Sequence, residues 1–272
     1  MKERKRTRKE WLESRINHVE MTPNLNEVLT GILLSDGYIN HQKGRNTASL
    51  RVMQSQKRRG WLLQIRQQLE VCGLVVRMDT TKRPPSPIGG RMLPGGEYDL
   101  LRTLNYWELV EVRHQWYPGG QKIVPKDIRL TPLTLNHWFC GDGRGGDRKG
   151  TLGFSTDGFS FEDVDFLVER LSQDLNIQVL RVTSHRGQPQ ILVSQRDEAV
   201  KVKTLLAPHI PECCQYKLKH VRPLQKTGRG RRLSEELKHT IKQEHGTCTM
   251  REAARRHGVA VSKVWTLWHE SS

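Results

Sequence analysis

The sequence lacks the features that would direct it to a membrane or out of the cell. Its five cysteines are an odd number without a C-x-x-C pair, so neither a disulfide framework nor a structural zinc site is expected. No apolar run reaches the length that spans a bilayer, and the segment from Met1 to Arg6 lacks the apolar core of a secretory signal. These absences predict a protein that is not secreted and has no membrane partner. We expect it in the cytoplasm, or in an organelle if an organelle encodes it.

Acidic residues are also scarce, with 29 Asp and Glu against 45 Lys and Arg and a formal net charge of +16. An excess of this size is typical of proteins that bind a polyanion. The basic residues are dispersed along the chain and are not gathered on one amphipathic helix, which disfavours a membrane surface. Nucleic acid is therefore the expected partner.

One short phrase occurs twice, as Leu29-Thr-Gly-Ile-Leu-Leu-Ser-Asp-Gly37 and Leu135-Asn-His-Trp-Phe-Cys-Gly-Asp-Gly143. The two aspartates, Asp36 and Asp142, lie 142 − 36 = 106 residues apart. An Asp in the last turn of a helix faces the negative end of the helix dipole, which is unfavourable unless something positive compensates. An Asp-Gly pair can also simply end a core helix. The duplication favours the other interpretation, in which two carboxylates at paired helix ends hold a divalent metal ion.

The pattern of helices and strands repeats with the same spacing, which predicts an α+β fold with internal pseudo-twofold symmetry. In the first half we expect helices near 24–36, 58–71 and 104–116, a loop over 40–46, and strands near 48–55, 74–80 and 97–103. In the second half we expect a motif helix after Thr131-Pro132, a loop over 143–150, helices near 160–174 and 196–206, and strands near 151–156, 177–183 and 189–194.

The predicted domain organisation has five parts. It comprises a basic N-terminal arm at 1–20, a first half at 21–125, a second half at 126–225, a basic linker at 226–232 and a small all-α module at 233–272.

The two motifs, together with Trp116-Tyr-Pro-Gly-Gly-Gln-Lys-Ile-Val-Pro125, Phe154-Ser-Thr-Asp-Gly-Phe-Ser-Phe161 and Tyr216-Lys-Leu218, resemble single-chain LAGLIDADG homing endonucleases. The resemblance covers roughly 20–222. It implies two αββαββα-type halves, with the motif helices packed at a pseudo-dyad and saddle-shaped sheets that lie in the major groove. It further implies a monomer that cleaves double-stranded DNA at a long asymmetric site, uses Mg²⁺ (or Mn²⁺), and serves intron or intein mobility.

The same resemblance implies the residues of the active site. Asp36 and Asp142 would bind the metal, and the unpaired backbone carbonyls of Ser35 and Gly141 could add ligands. Basic residues beside the phosphates would be Lys217 and Lys122, with Gln121 as the alternative to Lys122. The solvent-orienting residue would be Gln54 in the first half and Asp157 or Thr156 in the second.

Base recognition would fall to residues that alternate with core positions along the strands. The expected contacts with DNA are Arg51, Arg77, Arg181, Thr183 and Arg186. In the C-terminal module, the spacing of Ala254, Gly258 and Val264 predicts a helix-turn-helix. Its recognition helix would present Ser262, Lys263 and Thr266 to DNA. The alternative is a helical cap that packs Trp265 and Trp268 onto the main domain.

Small residues at Gly31, Ser35 and Gly141 suit close approach of the motif helices, whereas His137 stands where a fourth small residue would be expected. A core histidine with a satisfied hydrogen bond is the predicted role of His137. Two other functions fit the same scaffold. One is a catalytically inactive LAGLIDADG/helix-turn-helix transcriptional regulator, although both motif acids are present here, and the other is a maturase that binds intron RNA.

Overall fold

The computed structural model describes residues 16–88, 91–93, 95–145, 150–184, 186–222 and 233–269, with no side-chain description for 86–88, 91 and 93. The chain divides into two compact units, Met1–Arg222 and Pro223–Ser272. Most of the predicted N-terminal arm and the whole predicted linker at 226–232 lie outside the described residues. None of the described helices is long and apolar enough to cross a bilayer.

Unit 1 contains the αββαββα pattern twice, which confirms the predicted α+β fold. The first half comprises α1 Pro23–Leu33, β1 Tyr38–His41, β2 Ala48–Ser55, a 3₁₀ turn Gln56–Arg58, α2 Arg59–Val71, β3 Val76–Arg83, β4 Ser86–Ile88, β5 Arg91–Leu93, β6 Gly96–Thr103 and α3 Glu108–Trp116. The second half comprises α4 Pro132–Asp142, β7 Gly143–Gly145, β8 Leu152–Ser155, α5 Phe161–Leu175, β9 Leu180–Thr183, β10 Pro189–Val193, α6 Arg196–Leu206, α7 Glu212–Gln215 and a 3₁₀ turn Tyr216–Leu218.

Each half is built on a four-stranded antiparallel sheet. The strand orders are β1-β2-β6-β3 and β7-β8-β10-β9, so the two sheets have equivalent topologies, and β4 and β5 form a separate hairpin within the first half. Along β2, Leu50 and Val52 are buried while Arg51 and Met53 are only half-buried, the alternation of a sheet with one covered face. In the second sheet, Ile191 and Val193 of β10 are buried while Gln190 and Leu192 are half-buried, so each sheet has one covered and one open face.

The motif helices α1 and α4 start with the same local chemistry. Thr22 and Thr131 are the N-caps, each accepting a hydrogen bond at 3.2 Å from a backbone N–H three residues on, and each is followed by proline. The cap of α4 agrees with the Thr131-Pro132 signal of the sequence, and Thr22-Pro23 gives α1 the same signal. Nearly all of α4 is buried, because it packs against α1 on one side and against the strands of its own half on the other.

The two motif helices approach each other closely where their residues are small. A Cβ added at Gly31 would lie 2.4 Å from the carbonyl oxygen of Thr134, and one added at Gly141 would lie 2.4 Å from the Cβ of Ser35. His137 faces Gly31, so glycine on one helix makes room for the larger side chain on the other. The predicted close approach is thus confirmed, and the larger side chain of His137 fits because the residue that it faces is Gly31.

Several boundaries differ from the predictions, among them those next to the two motif aspartates. The helix α1 ends at Leu33, and residues 34–36 form a turn, so Asp36 follows the helix while Asp142 is the last residue of α4. Tyr38–His41 is an edge strand that overlaps the start of the loop predicted over 40–46, and Gly143–Gly145 is an edge strand within the loop predicted over 143–150. Both strands are short and lie at a sheet edge, where the glycine and polar composition that suggested a loop is tolerated.

Unit 2 is a three-helix cluster comprising α8 Glu235–Gln243, α9 Met250–Arg256 and α10 Val261–His269. Its small core comprises Ile241, Ala253, Ala254, Val264 and Leu267. Thr249 forms a capping box with Glu252 at the start of α9, and Gly258 adopts φ +63° in the turn before α10.

Candidate active site

The two motif aspartates lie at corresponding ends of the paired helices. The side chain of Asp36 is 37% exposed, and Asp142 is half-buried. Burial and the negative charge of Asp36 raise the pKa of Asp142 from 3.8 to about 7, against the effect of the nearby positive charges of Lys122, Lys217 and Arg58. The two carboxylates therefore share one electrostatic environment.

Two lysines lie at this end of the helices, one from each half of the chain. The Nζ of Lys122 donates hydrogen bonds to the carbonyl oxygens of Ser35 and Gly37, both at 3.0 Å. The Nζ of the buried Lys217 donates to the carbonyls of residues 139, 140 and 141, at 2.9, 2.8 and 3.2 Å. Lys217 thus covers the last carbonyls of α4, and Lys122 covers carbonyls of the turn that follows α1, so each places positive charge at the C-terminal end of a motif helix, where it is favoured.

Burial lowers the pKa of both Lys122 and Lys217 from 10.5 to about 8, and the positive charge of Arg58 adds to the effect on Lys217. Of the two alternatives Lys122 and Gln121, Lys122 contacts the site, because Gln121 is exposed.

These contacts correct one prediction, because the carbonyls of Ser35 and Gly141 are not unpaired. Ser35 accepts from Lys122, and Gly141 accepts from both Lys217 and Arg58. A carbonyl oxygen has two lone pairs, so the contact with Lys122 does not by itself remove the Ser35 oxygen from the groups that could bind a cation, whereas the two donors to the Gly141 oxygen occupy both of its lone pairs. These contacts show that the lysines compensate the helix ends directly.

Gln54 and Arg58 complete the first-half side of the site. The Nε2 of Gln54 donates to the Oδ2 of Asp36 at 2.5 Å, and the guanidinium of Arg58 donates to the Oε1 of Gln54 at 3.3 Å. Arg58 also lies 3.9 Å from the carboxylate of Asp36 and donates to the carbonyl of Gly141 at 3.0 Å. It therefore joins the two halves.

Arg58 was not among the predicted site residues. It stands four residues after Gln54, at the end of the 3₁₀ turn that leads into α2, in a chain where single arginines carry little signal.

The strand registers identify the second-half position that corresponds to Gln54. The pairing of Tyr38 with Arg51 extends to place Gln54 opposite Ser35, and the pairing of Gly143 with Phe154 extends to place Thr156 opposite Gly141. Thr156 is buried and donates to the carbonyl of Pro189 at 2.6 Å. Asp157, in contrast, is exposed and accepts from Gln190 at 3.1 Å. The register therefore favours Thr156 over Asp157 as the equivalent of Gln54.

His137 is fully buried in the interface between the halves. Its Nδ1 accepts a hydrogen bond from the Nε1 of Trp61 at 3.2 Å, and its Nε2 lies 2.6 Å from the Oε1 of Gln68. Because Trp61 can only donate and the Gln68 oxygen can only accept, the imidazole is neutral with its proton on Nε2. Burial lowers its pKa from 6.5 to about 3. The predicted role as a satisfied core histidine is confirmed.

The predicted base-contacting residues of the first half share one face. Arg51 and Arg77 are both paired with Arg102 on the intervening strand β6, so the three arginines form a row across the open face of the sheet. Arg102 was not among the predicted contacts with DNA, and it forms an ion pair with Asp79 at 2.8 Å. Among the described residues, the buried Nε of Arg51 has no hydrogen-bond partner.

The second half differs from the prediction. Arg181 is paired with Ile191 and Thr183 with Pro189, both of which are buried, so these residues lie on the helix-covered face. Arg181 forms an ion pair with Asp165 and lies over the ring of Phe161. The prediction assigned the strand the opposite alternation, which a short strand of four residues does not determine. Arg186 is exposed in the following turn.

In unit 2, Ser262 and Lys263 are exposed in the first turn of α10, and Thr266 is half-buried with its hydroxyl donating to the carbonyl of Ser262 at 2.9 Å. The side chain of Trp268 donates to the carbonyl of Ile241 at 2.5 Å and so packs within the unit, whereas Trp265 is 53% exposed.

Comparison with known proteins gives concordant matches. The model of the LAGLIDADG DNA endonuclease family matches residues 26–200. The homing endonuclease I-WcaI, solved bound to its DNA recognition sequence, superposes with a TM-score of 0.61 at 20% identity over 75% of this chain and 89% of its own. At that identity the likeness shows a shared fold.

Two curated relatives are also similar in sequence. The uncharacterized protein MJ1098 of Methanocaldococcus jannaschii is 30% identical over 157 residues, which is 56% of each chain. The cytochrome b mRNA maturase bI2 of Saccharomyces cerevisiae is 25% identical over 225 residues, 78% of this chain and 51% of the maturase. The chain spans about half the length of these relatives.

Proposed function

The chain belongs to the LAGLIDADG DNA endonuclease family, and we propose that it is a divalent-metal-dependent, site-specific endonuclease that hydrolyses both strands of a DNA target. One observation carries the proposal above the others. Two motif carboxylates, Asp36 and Asp142, are held at paired helix ends among three cationic side chains, Lys122, Lys217 and Arg58. That arrangement suits a reaction in which negative charge develops on a phosphate between them.

The side chains fit Mg²⁺ as the metal, with Mn²⁺ as a substitute. Within the described ranges, no group of three or more His, Cys, Asp or Glu side chains is arranged to hold a metal. Mg²⁺ is commonly held by one or two carboxylates and completes its shell with water and substrate phosphate. Asp36 and Asp142 would hold it, and a cation would offset both the burial and the repulsion by Asp36 that raise the pKa of Asp142. When bound, the metal ion supplies an activated water and stabilises the leaving oxygen.

The residues of the chain have separable roles in this proposal. Lys122 and Lys217 each have a charged ammonium close to the carboxylates, and would neutralise charge on the two scissile phosphates. Gln54 orients the Asp36 carboxylate by donating to it, and its amide would also orient a nearby water. Arg58 ties Gln54 to the opposite motif helix and so fixes the spacing of the two halves.

Cleavage of a randomised plasmid library tests the proposal. The full chain should linearise a subset of the library in Mg²⁺ and none in EDTA, and sequencing of the ends would give the site. Asp36→Asn and Asp142→Asn should both abolish cleavage, whereas Glu169→Gln, at an exposed position on α5, should cleave as wild type. Cleavage by either aspartate variant at the wild-type rate would contradict the active-site assignment.

The likeness to a cytochrome b mRNA maturase over 78% of this chain favours one second function, assistance of RNA splicing. A maturase should accelerate excision of its intron from precursor RNA, and Asp36→Asn should leave that activity unchanged while abolishing DNA cleavage. A catalytically inactive regulator is disfavoured by the presence of both motif aspartates. Acceleration of splicing without any DNA cleavage would favour the maturase.

We further propose that the chain acts as a monomer and that unit 2 is a helix-turn-helix that contacts DNA through Ser262, Lys263 and Thr266. The support comes from the four residues between α9 and α10, the left-handed Gly258 in that turn, and the exposure of the first turn of α10.

A further inference from the structure

The open faces of the two sheets differ in chemistry at matched positions. The first open face carries the cross-strand row Tyr38, Arg51, Arg102 and Arg77, one residue from each of β1, β2, β6 and β3. The second open face carries the row Arg144, Gly153, Leu192 and Leu180, one residue from each of β7, β8, β10 and β9.

These two rows are equivalent. Tyr38 follows Asp36 by two residues and Arg144 follows Asp142 by two residues, and the strand orders of the sheets correspond. The three arginines of the first row therefore stand where the second row has glycine and two leucines.

The first row is built to donate hydrogen bonds. Arg77 and Arg102 are exposed, and the ion pair with Asp79 at 2.8 Å orients the Arg102 guanidinium. Neighbouring strands lie about 4.8 Å apart, so the row extends over roughly 14 Å from β1 to β3. At about 3.4 Å per base pair, this length matches roughly four consecutive pairs. Arginine pairs best with the O6 and N7 acceptors of guanine.

The second row presents apolar surface in the same place. Leu180 is 55% exposed, Leu192 is half-buried, and Val182 lies on the same face two residues from Leu180. The one cation, Arg144, lies across Gly153, since a Cβ at Gly153 would be 2.6 Å from its Nε. An exposed leucine in the major groove can contact only one base group favourably, the C5-methyl of thymine.

We infer that the two arms of the DNA target are chemically different, with guanines read by the arginine row and thymine methyl groups read by the leucine row. This inference rests on the proposed function, since it requires both open faces to lie in the major groove. It assigns Arg102, Leu180 and Leu192 as specificity-determining residues.

Base analogues that remove single contact groups test the inference. The full chain would first select its site from randomised duplex DNA in EDTA, and affinities would then be measured on substituted duplexes. Each 7-deazaguanine in one arm should weaken binding about fivefold through loss of the N7 acceptor. Each deoxyuridine in the other arm should weaken binding about threefold, the effect of one lost methyl group. Deoxyuridine should have no effect in the arm read by the arginine row, and 7-deazaguanine should affect the other arm at no more than the one position next to Arg144.

Variants assign each effect to a side chain. Arg102→Gln should abolish sensitivity to 7-deazaguanine at one position, and Leu180→Ser should abolish sensitivity to deoxyuridine at one position. Arg181→Gln is the matched control, because Arg181 adjoins Leu180 but lies on the helix-covered face. It should leave both sensitivities unchanged.

The outcomes separate this inference from the proposed function. A selected site that is cleaved in Mg²⁺ but is equally sensitive to both analogues in both arms would overturn the inference alone. The same conclusion would follow if Arg102→Gln weakened binding to every sequence uniformly, as loss of a phosphate contact does. If no sequence were enriched, the proposed function would fail, and the inference with it.

Discussion

The exchange of Asp142 for asparagine should stabilise the metal-free protein, although the residue is proposed to be essential. The ionised carboxylate is unfavourable in the folded chain because it is desolvated and is repelled by the negative charge of Asp36. A pKa raised from 3.8 to about 7 corresponds to roughly 4 kcal/mol of unfavourable free energy at higher pH. An amide removes the charge but retains a polar group at a partly buried position, so we expect about 2 kcal/mol of net stabilisation.

The stabilisation should depend on pH in a defined direction. A carboxyl with a raised pKa keeps a proton in the folded chain that the unfolded chain releases, so wild-type stability falls as pH rises. The fall should occur between about pH 4 and pH 7 and level off above, with Asp142→Asn lacking it.

Thermal unfolding in EDTA at pH 5 and pH 8 measures the effect. For a unit of this size, about 2 kcal/mol corresponds to roughly 4–8 °C in Tm at pH 8. Mg²⁺ should raise the Tm of wild type and have less effect on Asp142→Asn. Glu169→Gln controls for removal of a surface carboxylate. An Asp142→Asn variant that melts at or below the wild-type temperature at pH 8 would refute the argument from desolvation and repulsion.

Three further outcomes are expected. Lys217→Met should slow single-turnover cleavage by at least about a hundredfold with little loss of DNA affinity, since one phosphate contact among many changes binding modestly. If the cleavage rate and the DNA affinity fell by the same factor, Lys217 would be an ordinary phosphate contact. A chain truncated after residue 225 should fold, because unit 1 ends at Arg222, and should retain Mg²⁺-dependent cleavage. Its affinity should depend less steeply on salt, because the truncation removes Lys226, Arg229, Arg231, Arg232 and the remaining cations of unit 2. An unchanged salt slope would exclude a DNA contact by that part of the chain. Trp61→Phe should destabilise unit 1 by about 1–3 kcal/mol, measured by urea unfolding, since the Nδ1 of His137 loses its buried hydrogen-bond donor. An unchanged urea midpoint would show that this hydrogen bond does not contribute to the stability of unit 1.

The duplicated motif made much of the fold predictable, because a repeated pattern fixes two helices, their order and their pairing at once. The Thr-Pro caps and the small residues at Gly31 and Gly141 were visible as local chemistry, and the structure agrees with them. Arg58 was not predictable, since its importance arises from contacts with Gln54 and with Gly141, which is distant in sequence.

Which strand residues face outward was likewise predictable only in part. Along β2, eight residues of clear alternation indicate which side chains face outward, and Arg51 was identified correctly as a residue of the open face. In β9, only four residues with little burial leave the alternation undetermined, so Arg181 and Thr183 were assigned to the wrong face. Arg102 became visible only when register aligned it with Arg51 and Arg77.

The hydrogen-bonded trio of Trp61, His137 and Gln68 has a consequence for how the halves can be recombined. Two members come from α2 of the first half and the third from α4 of the second, and the equivalent of His137 on the first motif helix is Gly31. In a homodimer of first halves, Gly31 would lie opposite Gly31. The indole N–H of each Trp61 and the side-chain amide of each Gln68 would then lack the imidazole that they contact here. The two halves have therefore diverged so far that one half no longer supplies both sides of this interface. A chimera that joins one half to a half of another protein should assemble only if the interface still contains a tryptophan, a glutamine and a histidine at the positions of Trp61, Gln68 and His137.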